Sequence, residues 1–312
     1  MPLAVGPAIS ATLGSWGEEM FIATLIAKDR LSSGDISVAA DALRDADIET
    51  EGRSWLDEDK ACDLLLPLDP TGARRVLEGL IPGCDVVVQG ESARRRKLLV
   101  ADMDSTMITV ECIDELADYA GIKDQVAAVT ERAMRGELEF EGALRERVAL
   151  LRDLDEAVLD RCHAERVRIM SGARALVRTM KRQGGHAVLV SGGFTRFADR
   201  VAAEIGFDRA IANVLHVGDG RLLGSVEDPI VGAETKRRTL IDTAAALGIA
   251  LDATLAVGDG ANDIPMIEAA GLGIAYHAKP RTAEAADARI EHNDLTALLY
   301  AQGYSRREWE AD

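Results

Sequence analysis

Two aspartates directly follow an apolar run in the first half of the chain. The segment KLLVADMDST begins at Lys97, its apolar run ends at Asp102, and a second carboxylate follows at Asp104. Side chains two residues apart on extended backbone point to the same side, so both carboxylates can face one pocket. Adjacent carboxylates repel each other unless a cation lies between them or one is protonated. Both states suit phosphoryl transfer, in which an ionised aspartate attacks phosphorus and a protonated one gives its proton to the leaving alkoxide.

A second acidic segment, AVGDGANDIPM, offers ligands for a metal ion. It places Asp259 at the end of an apolar run, inside a glycine-flanked turn, and Asp263 four residues later. Mg²⁺ is a hard cation that favours oxygen ligands, and it would offset the charge between nucleophile and phosphate. We expect Asp259 to bind the metal directly, and Asp263 either to support that ligand or to bind the metal itself.

Two further segments carry groups that suit a phosphate. In LVSGGF, Ser191 offers a hydroxyl, while Gly192 and Gly193 allow backbone N–H groups to approach an oxyanion closely. In GAETKRRTL, Lys236 lies near the start of a predicted helix, and its positive charge could bind the phosphate. These residues and the aspartates together form a candidate site for phosphoryl transfer.

The elements that position these residues are typical of an α/β fold. The runs KLLVAD, HAVLVSG and TLAVGDG are continuously apolar and separated by helical stretches, which indicates a doubly wound parallel sheet buried on both faces. Ligands bind beyond the carboxyl ends of such strands, where all three runs place their polar residues. The stretch from 111 to about 170 has no strand pattern and predicts a small helical cap. A hairpin is expected around Asp219 and Gly220.

The first part of the chain predicts a separate domain. Residues 1–17 are weakly patterned and are interpreted as a loose arm. Residues 18–92 follow the order βαββαβ, typical of a ferredoxin-like α+β domain, with the second helix starting at Pro70. The second domain, which carries the candidate site, is expected to cover residues 93–312.

The composition excludes several classes of protein. The chain has 312 residues, a net charge of −17 and 4% aromatic residues, so it is poorly suited to bind nucleic acid or an anionic membrane. It has no apolar run long enough to span a membrane, and from its first residues we expect no export signal. The four scattered cysteines indicate reduced thiols. We therefore expect a cytoplasmic protein that acts on a small molecule.

The order of the segments resembles the haloacid dehalogenase (HAD) superfamily. DMDST, VSGG, a lysine in a helix-opening segment and GDGANDIPM match its four motifs. Each of the first three alone would be weak evidence, and GDGxND is a stronger signal. The resemblance implies a HAD-like core. The second aspartate of the first motif disfavours the dehalogenase branch, and the absence of membrane spans disfavours a cation pump.

Over residues 97–295 the chain resembles the phosphoserine phosphatase family, through DSTMITVECIDELA and AMRGELEFEGALRERV. The resemblance implies Mg²⁺-dependent hydrolysis of O-phosphoserine, the last step of serine biosynthesis. It implies Asp102 as nucleophile and Asp104 as acid/base, with Mg²⁺ held by Asp102, Asp259 and the backbone oxygen of Asp104. The remaining site residues that it implies contact the substrate: Glu111 and Arg147 for its amino and carboxylate groups, Met134 and Phe140 as an apolar wall, and Ser191, Gly192, Lys236 and Asn262 for its phosphate.

The charges of phosphoserine support this set. Its ammonium, carboxylate and phosphate need an acid, a base and an anion site, and arginine grips a carboxylate with a fork that lysine lacks. Because Glu111 lies at the root of the cap and Arg147 within it, closure of the cap would depend on the substrate.

Two alternative functions remain. One is a phosphatase or phosphotransferase that acts on another small phosphomonoester, with homoserine as one acceptor. The other is a regulatory amino-acid-binding protein with a decayed hydrolase domain.

The N-terminal domain resembles an ACT domain, through its element order and the segment LIAKDRLSSGDI. The Pro-Gly step that usually follows the aspartate is replaced by Leu31, Ser32, Ser33 and Gly34. The resemblance implies a sensor of small amino acids. Two other roles fit the sequence equally well: dimerisation, which would give a homodimer, or a purely structural role.

Overall fold

A computed structural model describes residues 20–67 and 72–311 of the chain. The arm expected at 1–17 and the helix start expected at Pro70 lie outside these residues. The side chain of Met134 is also outside the description.

The N-terminal domain is a four-stranded antiparallel sheet with strand order β2-β3-β1-β4. It follows the predicted βαββαβ order, and the bounds are β1 (Phe21–Ala27), α1 (Ser33–Asp45), β2 (Gly52–Asp57), β3 (Ala61–Leu66), α2 (Ala73–Leu77) and β4 (Cys84–Gly90). Helix α1 begins earlier than its apolar spacing predicted, because Ser32 and Asp35 form a reciprocal capping box at its start. Helix α2 is short, and Gly79 follows its end with a φ of +76°.

The sheet of this domain is covered on both faces. Ala23 and Leu25 of β1 pack with the two helices, whereas Ile26 packs into the core of the second domain. Between the domains, the buried carboxylate of Asp85 accepts hydrogen bonds from the backbone N–H groups of Glu291 (2.9 Å) and Asn293 (3.0 Å). Because a buried carboxylate needs such partners, this contact fixes one domain against the other.

The second domain is built on a six-stranded parallel sheet with strand order β12-β11-β10-β5-β6-β7. Its strands, and a separate hairpin of β8 and β9, are β5 (Leu98–Ala101), β6 (His186–Phe194), β7 (Arg209–Asn213), β8 (Leu215–Gly218), β9 (Arg221–Val226), β10 (Thr254–Gly258), β11 (Leu272–Tyr276) and β12 (Ala288–Ile290). The hairpin turns at Asp219 and Gly220, both with positive φ, as predicted.

Helices cover both faces of this sheet and form the cap. The helices are α3 (Cys112–Tyr119), α4 (Lys123–Met134), α5 (Phe140–Ala149), α6 (Ala157–Arg166), α7 (Ala173–Arg182), α8 (Thr195–Ile205), α9 (Ala233–Leu247), α10 (Ile264–Ala269), α11 (Pro280–Ala285) and α12 (Ala297–Ala301). Leu99 and Ala101 of β5 point into one apolar core and Leu98 and Val100 into the other. The predicted doubly wound α/β fold, with a helical cap in α3 to α6, is therefore confirmed.

The sequence missed three strands of this sheet, namely β7, β11 and β12. They are short and rich in alanine, glycine or arginine, so they lack the continuous apolar run that marks β5, β6 and β10. None of the described helices is long and apolar enough to cross a membrane.

Candidate active site

The predicted acidic and hydroxyl residues meet at one edge of the parallel sheet. Strand β5 lies between β10 and β6, so Asp102, Asp259 and Ser191 leave the sheet side by side. The backbone N–H of Asp102 donates to the carbonyl of Val257 at 3.0 Å, so a hydrogen bond links the start of the DMDST segment to β10. The shared edge follows from the strand order, as the parallel topology requires.

A buried lysine joins two of the aspartates. Lys236, on α9, is fully buried, and its Nζ atom donates to Oδ1 of Asp102 and, at 2.6 Å, to Oδ1 of Asp263. The other carboxylate oxygen of Asp263 accepts the backbone N–H of Gly260 at 3.0 Å. Burial lowers the pKa of Lys236, but its two carboxylate partners outweigh burial and hold the net pKa above the usual value. Lys236 therefore stays charged at the floor of the site.

Three carboxylates form a cluster that suits a divalent cation. Asp102, Asp259 and Asp263 each offer an oxygen atom, and these atoms lie within 4.8 Å of one another. Burial, with the charges of Asp263 and Glu111, raises the pKa of Asp259 to about 6. Burial and Asp263 also raise the pKa of Asp102, against the opposing effect of Lys236. The cluster thus holds more negative charge than Lys236 balances, and its all-oxygen donors fit a hard ion such as Mg²⁺.

Asp104 lies beside this cluster with one oxygen atom unpaired. Its Oδ1 atom is buried and has no hydrogen-bond partner among the described residues. Burial and the nearby charge of Glu111 raise its pKa to about 7, although hydrogen bonds from the thiol and backbone of Cys112 oppose the rise. The next residue, Ser105, has a φ of +58°, which turns the chain sharply after the two aspartates. Asp104 can therefore hold a proton near neutral pH.

The glycines after β6 leave room for an anion. The backbone N–H of Gly193 donates to Oγ of Ser191 at 2.8 Å. A Cβ atom on Gly193 would lie 3.1 Å from Oδ2 of Asp104, and one on Gly192 would lie 3.0 Å from Cζ of Phe140. Only glycine fits between Asp104 and the cap at these positions without displacing a neighbour.

The cap closes over this edge of the sheet and leaves a cavity of about 540 Å³. Glu111 accepts a hydrogen bond from Oγ of Ser105 at 2.9 Å, and burial lowers the pKa of Arg147. The residues of the predicted set that line the cavity are Asp102, Asp104, Glu111, Phe140, Arg147, Ser191, Gly192, Asp259 and Asn262, and Lys236 lies beneath them. Of the predicted substrate contacts, only Met134 falls outside the described side chains.

The cavity also contains two cations that sequence reasoning missed. Lys279 and Arg281 follow β11, and both line the cavity. Because β11 was not recognised as a strand, nothing in the sequence placed its carboxyl end beside the other motifs. A strand assignment for LGIAY would have supplied that signal.

Comparison with known proteins identifies the family. A model of the haloacid dehalogenase-like hydrolases matches residues 99–268, which include all four motifs and the helical cap. The chain belongs to the haloacid dehalogenase-like hydrolase family. The resemblance predicted from the four motifs is thereby confirmed.

Among haloacid dehalogenase-like hydrolases, the chain is similar to proteins named phosphoserine phosphatase. One from Streptomyces coelicolor is 46% identical over 245 residues, covering 78% of this chain and 60% of the relative. Another, from a Polaromonas species, is 48% identical over 208 residues, covering 65% of this chain and 88% of the relative. The chain thus spans less than two thirds of the Streptomyces protein.

A solved structure of this family matches both domains. The unliganded crystal structure of a probable phosphoserine phosphatase from Vibrio cholerae is 31% identical, with a TM-score of 0.75. The match covers 93% of this chain and 88% of that chain, so it includes the N-terminal domain as well as the parallel sheet.

Proposed function

We propose that the protein hydrolyses O-phosphoserine to serine and phosphate, with Mg²⁺ and through an aspartyl-phosphate on Asp102. The observation that carries this proposal is the cluster at the sheet edge, where Lys236 and three carboxylates meet under a cap that carries Glu111 and Arg147. The names of the relatives support the choice of substrate. In this proposal the reaction completes serine biosynthesis in the cytoplasm.

The first step transfers the phosphoryl group to the protein. A carboxylate oxygen of Asp102 attacks phosphorus, the bond from phosphorus to the serine oxygen breaks, and the proton of Asp104 passes to that oxygen. The pKa of about 7 at Asp104 keeps a proton available for this transfer near neutral pH. Lys236 holds Asp102 in place and stabilises its ionised form.

The second step releases phosphate and restores both aspartates. Asp104, now ionised, takes a proton from water, whose oxygen attacks the phosphorus of the aspartyl-phosphate, and Asp102 leaves as a carboxylate. The same residue serves as acid and then as base, so no further proton carrier is needed. Serine and phosphate leave the site.

The metal would be held by the carboxylates of Asp102 and Asp259 and by the backbone oxygen of Asp104. When bound, Mg²⁺ offsets the repulsion between the carboxylates and the phosphate and withdraws charge from phosphorus. Asp263 supports this arrangement by fixing Lys236 and the Gly260 turn rather than by acting on the substrate. Its two carboxylate oxygens accept hydrogen bonds from those groups.

The cap would supply the selectivity for serine. Glu111 faces the ammonium group and Arg147 the carboxylate, which its planar guanidinium can grip with two hydrogen bonds. Met134 and Phe140 would form the apolar wall around the short carbon chain. The phosphate would be held by Ser191, Gly192, Lys236 and Asn262. An acid and a base on the cap make its closure sensitive to both charges of the amino acid.

The N-terminal domain is proposed to cover residues 18–92, with the catalytic domain at 93–312 and its cap at about 111–170. The end of β4 at Gly90 and the start of β5 at Leu98 support this boundary. We further propose an ACT-like domain that serves as a homodimer interface or as a fixed support for the catalytic domain.

Phosphate release over a panel of phosphomonoesters tests the function. With Mg²⁺ the protein should hydrolyse phosphoserine faster than other small phosphomonoesters, and chelator should abolish activity. Product analysis with added homoserine separates hydrolysis from phosphoryl transfer to an alcohol. Equal rates across the panel would overturn the assignment of phosphoserine as the substrate. No release of phosphate from any of the compounds with Mg²⁺ would overturn the catalytic function in favour of a regulatory binding protein.

A further inference from the structure

The active-site cavity is lined by more acidic than basic side chains. The carboxylates that line it are Asp102, Asp104, Glu111, Glu139 and Asp259, and the cations are Arg147, Lys279 and Arg281. The whole chain adds a net charge of −17. A phosphomonoester is doubly negative near neutral pH, so it approaches against repulsion unless cations at the entrance lower the local potential.

Two of the four cations at the cavity are already committed to other groups. Lys236 is fully buried and hydrogen-bonded to Asp102 and Asp263. Arg147 lies on the cap, where the proposed function assigns it to the carboxylate of the substrate. Neither side chain is available to meet a phosphate at the mouth of the site.

Lys279 and Arg281 differ from Lys236 and Arg147, because both of their side chains are exposed while lining the same cavity. Within the described part of the chain, neither charged group forms a hydrogen bond or an ion pair. They are therefore two cations in contact with solvent at an otherwise acidic opening.

The backbone that carries these cations is anchored beside the carboxylate cluster. The N–H of Lys279 donates to the carbonyl of Asp259 at 3.1 Å, and the carbonyl of Lys279 accepts from Thr282 and Ala283, both at 3.0 Å. Thr282 is itself fully buried. The two side chains thus extend from a fixed segment of the cavity wall.

We propose that Lys279 and Arg281 form a cationic rim that draws the phosphate of the substrate into the cavity and raises the affinity for the phosphate product. The proposal rests on the phosphatase function proposed above. Both residues act through charge at a distance, so they are steering residues, and the rim should serve any doubly charged phosphomonoester. Neutralising the rim should lower kcat/KM and leave kcat unchanged, because these side chains take no part in the steps that form and break bonds.

The test is a double variant, Lys279→Gln with Arg281→Gln, against a control with the same change in net charge. The control is Arg53→Gln with Arg75→Gln, which removes two exposed arginines from the N-terminal domain. Kinetics with phosphoserine and with an aryl phosphate are measured at low and high salt. At low salt the rim variant should lose about tenfold in kcat/KM, with kcat within about twofold of wild type, while the control stays near wild type.

Salt provides the decisive readout. Because mobile ions screen exposed charges, the gap between the rim variant and wild type should close as salt rises. A kcat/KM equal to that of the control overturns the proposal, as does a loss that high salt leaves undiminished or a matching fall in kcat.

Failure of the proposed function would be seen separately, in the wild-type protein. If wild type hydrolyses the aryl phosphate but not phosphoserine, the substrate is wrong and the rim is judged on the aryl phosphate. If wild type hydrolyses neither, the rim is judged by calorimetric binding of inorganic phosphate with Mg²⁺. The rim variant should then bind phosphate about tenfold more weakly than the control, and equal affinities would overturn the rim.

Discussion

Nζ of Lys236 lies 2.6 Å from Oδ1 of Asp263, with both side chains fully buried. Asp263 binds neither the substrate nor the reacting atoms in the proposed mechanism, yet it completes the shell around the lysine that holds Asp102. Buried charges persist in proteins only when they are paired. The pair therefore links the stability of the fold to the geometry of the nucleophile.

Replacing Asp263 by Asn should destabilise the protein by about 3 kcal/mol, because one charged partner of a buried lysine is lost. Urea unfolding measures the change. The matched control is Asp160→Asn, which breaks the exposed ion pair with Arg200 and should cost less than about 1 kcal/mol. Equal effects of the two substitutions would show that burial of the Lys236 pair carries no special weight.

Gly193→Ala should reduce kcat by about a hundredfold while leaving the fold intact. A Cβ atom there would lie 3.0 Å from Oγ of Ser191 and 3.1 Å from Oδ2 of Asp104, so one of these side chains must move. Steady-state kinetics and circular dichroism check the result. Gly142→Ala, in α5 where an added Cβ meets nothing within 4 Å, is the control and should keep full activity. Wild-type kcat in Gly193→Ala would refute the tight fit.

Asp104 and the carboxylate cluster beside it should make the stability of the protein depend on both pH and metal. The folded pKa of Asp104 is about 7 and that of Asp259 about 6, both above the unfolded value of 3.8. The folded state therefore keeps protons that the unfolded state has released, and without metal the contribution of these groups falls as pH rises from about 4 to 7. Mg²⁺ should restore the loss, raising Tm by at least about 3 °C at pH 8 and by less at pH 5.

Thermal unfolding with and without Mg²⁺ at the two pH values measures this coupling. Asp259→Asn removes one carboxylate of the cluster and should shrink the Mg²⁺-dependent rise at pH 8. An equal rise at both pH values, or an unchanged rise in the variant, would argue that the metal binds elsewhere.

Arg147→Lys should damage turnover of phosphoserine far more than turnover of an aryl phosphate. Lysine keeps the charge but loses the planar fork that holds a carboxylate, at a cost of about tenfold or more in kcat/KM. The aryl phosphate lacks that carboxylate and serves as the internal control. Similar losses for the two substrates would exclude the proposed role of Arg147.

Strand β5 and the two aspartates that follow it show what the sequence could predict. The runs before Asp102, Ser191 and Asp259 are continuously apolar, so their burial was visible, and parallel topology then forces their ends to one edge. The cap was equally visible, since a long helical stretch separates β5 from β6.

Lys279 and Asp85 show what could not be predicted from the sequence. Lys279 joins the site through β11, whose glycine and alanine content hides its strand character. Asp85 pairs with backbone N–H groups about 200 positions away, and such a contact has no local signature. The partners of Lys236 were missed for the same reason, because a buried ion pair depends on packing between distant elements.

The covalent step on Asp102 is the claim on which the mechanism depends, and acid quenching during turnover of phosphoserine with Mg²⁺ tests it most directly. Mass spectrometry of the digested protein should find a phosphoryl group on the peptide that contains Asp102, and none in the Asp102→Asn variant, which should also be inactive. Continued turnover by Asp102→Asn, or a phosphoryl group on any other peptide in place of this one, would contradict the account.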